Sequence, residues 1–162
     1  YLEETCESEV AELVQSRMEG YKKMAEGEVV PDFVIRDTEG QNYQLSMLDH
    51  PYVVVMFWST TCEHCREMLP RLHEWYLEEN NIDLEFITIS IDTSHSQFEA
   101  YIEGLQPRWI TYHEPLGWEG VIPGEYFIYA TPSIFLMDRE RTILDKPVTY
   151  RQFLRAVRKL EP

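Results

Sequence analysis

The chain is poor in cysteine, in positive charge and in long apolar runs. It has three cysteines among 162 residues, too few for a disulfide-stapled scaffold or a four-cysteine zinc site. No apolar run approaches the roughly 20 residues that a helix needs to cross a bilayer. The longest, Tyr52–Trp58, has the length of a buried strand. The sequence therefore predicts no membrane span in this fragment and no scaffold built on disulfides.

Acidic residues outnumber basic ones by 29 to 14, which gives a formal net charge of −15. A surface of that sign repels the phosphates of nucleic acids and of anionic lipids, so neither is expected as a partner. Four histidines have no cysteine or carboxylate at metal-ligand spacing, and we assign them no metal: His50, His73, His95 and His113.

The first 27 residues stand apart from the rest. Apolar side chains recur in steps of three and four from Val10 to Met24, which predicts an amphipathic helix that ends near Gly27. Its apolar stripe needs a cover, either the main domain or an upstream segment. We therefore assign residues 1–27 to an N-terminal helix, a candidate tail of a preceding domain, and residues 28–162 to the main domain. The chain opens without Met or a signal peptide, which we interpret as the edge of a mature or trimmed fragment.

The main domain alternates strands and helices. A hairpin is expected at about residues 29–45, buried strands at 52–58, 84–91 and 133–138, and a further strand at 142–146. Helices are expected after residue 62, at 96–105 and from about 149. This order predicts an α/β sandwich with a mixed central sheet and flanking helices. Residues 106–130 resist assignment because Pro and Gly interrupt them, although their aromatic residues, Tyr129 among them, are candidates for the core or for a substrate groove.

The chemistry is concentrated where the first buried strand ends. Cys62 and Cys65 are separated by two residues and stand at the start of a helix. Free N–H groups and the positive end of the helix dipole favour a thiolate there, so Cys62 is the expected nucleophile. Cys65, one turn further on, is close enough to resolve a mixed disulfide. The alternatives for this pair are half a zinc site or two idle thiols.

The segment from Trp58 to Pro70, with its Cys-Glu-His-Cys, resembles the active-site stretch of the thioredoxin superfamily. Residues 130–138 resemble the cis-proline loop of that superfamily and the strand that follows it. The upstream Pro-Asp-Phe, Asp-Thr-Glu-Gly and Leu-Ser-Met-Leu segments are similar to the TlpA/ResA branch, which is related to the AhpC/TSA proteins. The resemblance covers about residues 28–160 and implies a thioredoxin-like three-layer sandwich. It also implies a cis peptide bond before Pro132 and substrate contacts from Thr131, Pro132 and Trp58.

Two positions depart from that pattern. Thioredoxin has an acid six residues before the first cysteine, and the branch often has a Glu three residues after the second; here these positions are Met56 and Met68. Between the cysteines, His64 would stabilise the Cys62 thiolate and make the disulfide more oxidising, whereas Glu63 would oppose it. A solvated His64 with no role is the alternative. These departures leave the direction of electron flow open.

We expect a thiol–disulfide oxidoreductase that exchanges dithiol and disulfide with protein substrates and with an upstream redox partner. It needs no metal and no other cofactor. The resemblance implies a periplasmic or cell-envelope location, because members of the branch are typically exported and tethered. Two alternatives stay open. One is a peroxiredoxin-like thiol peroxidase, although Ser59 stands three residues before Cys62 and no Pro lies close before it. The other is a non-catalytic binding module.

Overall fold

The computed structural model describes residues 2–79 and 82–160, with side chains from residue 8 onward. The strands are Val34–Arg36 (β1), Asn42–Gln44 (β2), Tyr52–Trp58 (β3), Leu84–Ser90 (β4), Ile110–His113 (β5), Ser133–Asp138 (β6) and Ile143–Asp145 (β7). The α-helices are Leu2–Lys23 (α1), Glu63–Glu78 (α2), His95–Leu105 (α3), Val121–Glu125 (α4) and Tyr150–Arg158 (α5). Leu45–Met47 and Gly117–Glu119 form short 3-10 turns.

Five strands form one mixed sheet in the order β5-β4-β3-β6-β7. The pairs β3–β4 and β4–β5 are parallel, whereas β6 is antiparallel to both β3 and β7. One face is covered by α2, α3 and α5. The other is covered by the β1–β2 hairpin, by α4 and by the end of α1. This arrangement confirms the predicted sandwich of helices on a mixed sheet.

Strand β3 is buried on both faces, which explains its unbroken apolar sequence. Side chains alternate across a strand, so Val53, Val55 and Phe57 enter the core under the hairpin. Val54, Met56 and Trp58 enter the core under α2 and α5. The strand thus joins both cores, and its last residue leads directly into the loop before Cys62.

Side-chain caps define the starts of two helices. The hydroxyl of Ser94 accepts the Gln97 N–H at the start of α3. At the start of α5, Thr149 and Gln152 form a reciprocal capping box. Such caps satisfy N–H groups that have no partner within the helix, and they fix where the helices begin.

The segment left unassigned from the sequence contains β5 and α4. Strand β5 has only four residues and lies between Pro107 and Pro115, so its periodicity is too short to recognise. Its register is set by parallel pairing with β4, from Ile87 opposite Ile110 to Ser90 opposite His113. That pairing extends the sheet to the edge strand and places His113 beside the loop that follows β4.

The predicted N-terminal helix is present as α1, but most of its apolar stripe is uncovered. Met24, just past the helix, is buried, whereas the side chains upstream of it are half or more exposed: Val10, Leu13, Val14, Met18 and Tyr21. Of the two covers considered from the sequence, the main domain covers only the end of the helix, and an upstream segment stays a prediction. Within the described residues no helix combines the length and the apolar composition of a membrane-spanning segment.

Helix α1 contacts the domain through its C-terminal turns. Gly20 lies so close to Phe127 that an added Cβ would come within 2.6 Å of that side chain. The Arg17 guanidinium lies 5.0 Å from the ring centre of Tyr129, and the Lys23 ammonium lies 5.6 Å from that of Phe127. Cations over aromatic rings are attractive contacts, and the small Gly20 permits the close approach.

Replacing Gln106 with Gly is expected to stabilise the protein. Gln106 ends α3 in the left-handed conformation, with φ of 48° and ψ of 57°, which costs about 1 kcal/mol or more for a residue with a Cβ. Urea denaturation should show an increase in unfolding free energy of about 1 kcal/mol. The matched change Glu103→Gly, inside the same helix, should lower it by a similar amount. A loss of stability in both variants would contradict the assignment of this cap.

Candidate active site

Cys62 and Cys65 form a disulfide at the start of α2, with their Cα atoms 5.2 Å apart. Cys62 is itself the N-cap residue of the helix, and its sulfur accepts the N–H of Cys65 at 3.2 Å. A free N–H at a helix N-terminus carries part of the positive end of the dipole. The same donor is in position to stabilise negative charge on the Cys62 sulfur once the disulfide is reduced.

The two sulfurs differ in access. Cys65 is fully buried, in the core formed by α2, α5 and the sheet, whereas Cys62 is half-buried at the surface. Attack on an external disulfide requires an accessible sulfur, so only Cys62 can begin the exchange with a protein substrate. The sequence also led us to expect that Cys62 is the more exposed of the two, and their roles as attacking and resolving cysteines stay a prediction.

The loop before β6 approaches Cys62 from across the sheet. β6 pairs antiparallel with β3, with Ser133 opposite Phe57, which brings the preceding residues to the end of β3. The Thr131–Pro132 peptide bond is cis, and the Thr131 carbonyl oxygen lies 3.5 Å from the Cys62 sulfur. Thr131 and Pro132 are thus next to the accessible cysteine, as the resemblance implies.

A buried aspartate that the sequence analysis did not single out holds the loop before Cys62. Asp92 follows β4 and is almost fully buried. Its carboxylate accepts the Ser59 hydroxyl at 2.9 Å, the Thr60 hydroxyl at 2.7 Å and the Thr60 N–H at 2.9 Å. It also accepts the Ser90 hydroxyl at 2.6 Å. Neutral donors therefore surround this carboxylate.

That arrangement ties the end of β4 to the turn that ends in the nucleophile. A buried carboxylate is costly unless hydrogen bonds replace the lost water, and here Ser59, Thr60 and Ser90 supply them. The Cys62 N–H in turn donates to the Ser59 carbonyl at 3.1 Å. The one available signal in the sequence was an acid directly after a run of buried strand residues, and that signal is weak without the fold.

His64 and Glu63 lie on the exposed surface of the first turn of α2. Within the described residues the side chain of neither makes a hydrogen bond or an ion pair to the cysteines or to any other group. Both side chains are close to Cys62 in sequence. Their effect on its sulfur is therefore limited to electrostatic interaction through space.

Trp58, from which the resemblance implies a substrate contact, lies in the core. It is fully buried, and its ring packs 5.1 Å from that of Tyr101 and 6.2 Å from that of Phe98. The continuous apolar run of β3 places the ring beneath the surface, because its strand neighbours are enclosed on both faces. This position suits support of the site from below, and the substrate contact stays a prediction.

The environment of Cys65 is apolar. Met56 and Met68 occupy the positions where related proteins carry an acid, and both are buried in the same core cluster as Cys65. Within the described residues no group of three or more His, Cys, Asp or Glu side chains is placed to hold a metal ion. The side chain of Cys6 lies outside the described residues.

The sequence of this chain is similar to that of one protein family and of known oxidoreductases. The AhpC/TSA family is matched over residues 27–146. The chain is similar to the thiol-disulfide oxidoreductase ResA of Bacillus cereus, with 25% identity over 77% of this chain and 70% of ResA. ResA of Bacillus subtilis (strain 168) is 23% identical over 77% of this chain and 68% of its own length.

Solved structures share the fold. The thioredoxin domain of a thiol-disulfide oxidoreductase from Bacteroides vulgatus superposes with a TM-score of 0.74, at 24% identity, over 85% of this chain and 99% of that domain. A thiol:disulfide interchange protein from Bacteroides sp. superposes with a TM-score of 0.72, at 25% identity, over 86% of this chain and 91% of its own. These likenesses confirm the thioredoxin-like fold expected from the sequence.

Replacing Asp92 with Ala should destabilise the protein and disturb the site. Two buried hydroxyls, of Ser59 and Ser90, and two part-buried donors of Thr60 would lose their acceptor, which we expect to lower the unfolding free energy by roughly 2–4 kcal/mol. Asp92→Asn keeps one acceptor oxygen and should lose less. Urea denaturation of the oxidised protein measures both effects, and the alkylation rate of Cys62 in the reduced protein reports on the loop.

The control for this variant is Asp37→Ala. Asp37 also accepts N–H groups, from Glu39 at 2.9 Å and from Gln41 at 2.7 Å, but it does so in an exposed turn. Its loss should cost about 1 kcal/mol or less and leave alkylation unchanged. Equal changes in unfolding free energy and in Cys62 alkylation rate for Asp37→Ala and Asp92→Ala would show that Asp92 does not position the loop.

Proposed function

Because the chain belongs to the AhpC/TSA family as a ResA-like member of the thioredoxin superfamily, we propose that it exchanges dithiol and disulfide with protein substrates through Cys62 and Cys65. The observation that carries the proposal is the disulfide at the N-cap of α2. It joins an accessible sulfur to a buried one, beside the carbonyl oxygen of Thr131. The protein is a thiol–disulfide oxidoreductase, and the proposal concerns how its residues perform the exchange.

In the reducing direction the Cys62 thiolate attacks one sulfur of a substrate disulfide. The substrate S–S bond breaks, its other sulfur leaves as a thiolate that takes up a proton, and a Cys62–substrate mixed disulfide forms. The Cys65 thiol then loses its proton and attacks the Cys62 sulfur. This step releases the second substrate thiol and leaves the Cys62–Cys65 disulfide. Two electrons pass to the substrate, and the reverse order oxidises a substrate dithiol.

Thr131 and Pro132 are proposed to align the substrate chain. Pro132 has no N–H, and Thr131 precedes it with its carbonyl oxygen beside the Cys62 sulfur. An extended polypeptide that pairs with the Thr131 backbone would lie along this edge, as peptides do when they add to an exposed strand. Such backbone pairing positions a substrate cysteine without dependence on the side chains of the neighbouring substrate residues.

Glu63 and His64 are proposed to tune the potential of the pair in opposite directions. A protonated His64 favours the Cys62 thiolate and therefore the reduced form, whereas Glu63 disfavours it. Both side chains are exposed, so water screens each effect. The balance of the two adjusts the potential of the pair and so contributes to whether the enzyme reduces, oxidises or isomerises disulfides.

The partners and the location are inferred from the same resemblance. Each reduction of a substrate disulfide leaves the Cys62–Cys65 disulfide, so an upstream redox partner must return two electrons to restore the dithiol. The TlpA/ResA-like character supports a periplasmic or cell-envelope location for the full-length protein. Fractionation of cells that express it tests this, and recovery only with cytosolic markers would rule the location out.

A peroxidase function is disfavoured by the hydrogen bonds of Ser59. A peroxiredoxin needs a free hydroxyl three residues before its reactive cysteine. Here Ser59 donates its one hydroxyl proton to Asp92 at 2.9 Å. Its oxygen accepts the Thr61 N–H at 3.2 Å. This hydroxyl is therefore engaged in holding the loop and is not directed at a peroxide.

Replacing each cysteine in turn tests the proposed roles. Cys62→Ser should abolish disulfide reduction, because no accessible sulfur remains. Cys65→Ser should trap the mixed disulfide, which mass spectrometry detects as an adduct of one substrate molecule. Full activity of Cys62→Ser in the cell would favour the binding-module alternative, and an adduct on Cys65 would reverse the assignment.

The reduction potential of the pair tests the direction and the part of His64. Equilibration in graded thiol buffers should give a value near ~−270 mV for a reductase, or between ~−180 and ~−120 mV for an isomerase or oxidase. His64→Ala should lower the potential by about 15–30 mV if its charge favours the thiolate. Glu63→Gln should raise it, and an unchanged potential in both variants would show that the two side chains are idle.

A further inference from the structure

A groove runs from the cis-proline loop to the N-terminal helix. It has a volume of about 130 Å³ and is open to solvent. It is lined by Pro132 and Ser133, by residues at the end of α1 and by the loop after β7. Thr131, which precedes Pro132 in the chain, has its carbonyl oxygen 3.5 Å from the Cys62 sulfur, so one lining residue is bonded to a residue that contacts the reactive cysteine.

Helix α1 and the residue just past it supply Gly20, Tyr21 and Met24 to this groove. These residues precede residue 27, where the family match begins, so this wall of the groove lies outside the matched region. Gly20 sets the position of the wall, because the close approach to Phe127 leaves no room for a side chain there. Tyr21 stands at the rim and is 74% exposed.

The groove is also a local exception to the charge of the protein. Lys146 lines it half-buried, with its ammonium 5.2 Å from the ring centre of Phe135. Within the described residues no carboxylate comes within ion-pair distance of this ammonium. Burial lowers the pKa of Lys146, and the more distant Glu26 opposes that shift. A partly desolvated cation without a partner is a binding position for an anion.

Apolar and aromatic surface lies beside that cation. Tyr129 is 56% exposed and Val148 is 63% exposed, and both line the groove. Arg17 of α1 lies over the Tyr129 ring, which places a second positive group at the same edge. A chain with a net charge of −15 thus presents one cation and an aromatic surface in the groove that Pro132 lines, with a second cation over the Tyr129 ring.

We propose that this groove is a second substrate subsite, which binds an acidic and apolar segment of the substrate polypeptide next to the cysteine under attack. The proposal rests on the proposed function, because the occupant is the chain that exchanges disulfides with Cys62. The Thr131 backbone positions the substrate, and the groove selects it. Lys146 binds a carboxylate, and Tyr21 and Tyr129 contact the neighbouring apolar side chain.

Two synthetic peptides test the proposal. Each carries one cysteine as a mixed disulfide with thionitrobenzoate, and the two differ only at the positions two residues before and two after the cysteine. One peptide has Glu at both positions and the other has Lys. The enzyme is reduced beforehand and freed of reductant, and the release of thionitrobenzoate gives a second-order rate constant. Hydroxyethyl disulfide, a small neutral substrate, reports on the cysteines alone.

The wild-type protein should prefer the Glu peptide by about three- to tenfold, as expected for one partly desolvated charge pair. Lys146→Glu should remove or reverse that preference, and Lys146→Gln should reduce it. Tyr21→Ala should slow both peptides alike. None of these variants should change the rate with hydroxyethyl disulfide, which also shows that each variant is folded.

The matched control is Arg158→Glu, which makes the same change in net charge at an exposed position on α5 outside the groove. It should keep the peptide preference, since long-range repulsion is screened by salt. An equal loss of preference in Arg158→Glu and Lys146→Glu, or an unchanged preference in Lys146→Glu, would overturn the subsite. Failure of the wild-type protein to react with hydroxyethyl disulfide would overturn the proposed function, and the subsite with it.

Discussion

The enclosure of β3 on both faces is the constraint on which the rest of the structure depends. Its side chains alternate between a core under the hairpin and a core under α2 and α5, so the strand can neither slip nor turn without unpacking both. A shift of one residue would exchange the two faces of the strand. The end of β3 is therefore a fixed point, and the loop to Cys62 starts from it.

Polar contacts take over where the apolar strand ends. Asp92 accepts four hydroxyl and amide groups around the loop, and the sulfur of Cys62 then caps α2 through the Cys65 N–H. The contacts of Asp92 fix the path of the loop, and the contact with the Cys65 N–H gives the Cys62 sulfur its electrostatic environment. Both depend on a helix that begins at residue 63. The spacing of the cysteines is therefore useful only because α2 begins between them. The buried, apolar surroundings of Cys65 confine exchange with partners to Cys62.

The net charge of the whole chain and the local charge at the groove have opposite signs and favour different partners. A net charge of −15 disfavours nucleic acid and anionic lipid as partners of the chain as a whole. At the groove that Pro132 lines, however, Arg17 and Lys146 lie against aromatic rings. These two cations would lessen the repulsion between an acidic protein surface and the acidic substrate segment that we propose. The end of α1 matters for the same reason, since it carries Arg17.

The sequence by itself determined the α/β fold, the central strands and the cysteine pair, because each depends on a local pattern: an unbroken apolar run, a helical period or a two-residue spacing. Only the tertiary structure decided the rest. Strand β5 is too short to show a period and exists through its pairing with β4. The buried position of Trp58, the hold of Asp92 on Ser59 and Thr60, and the groove between α1 and Lys146 join residues far apart in the chain. Such contacts depend on how the elements pack, which no local pattern in the sequence records.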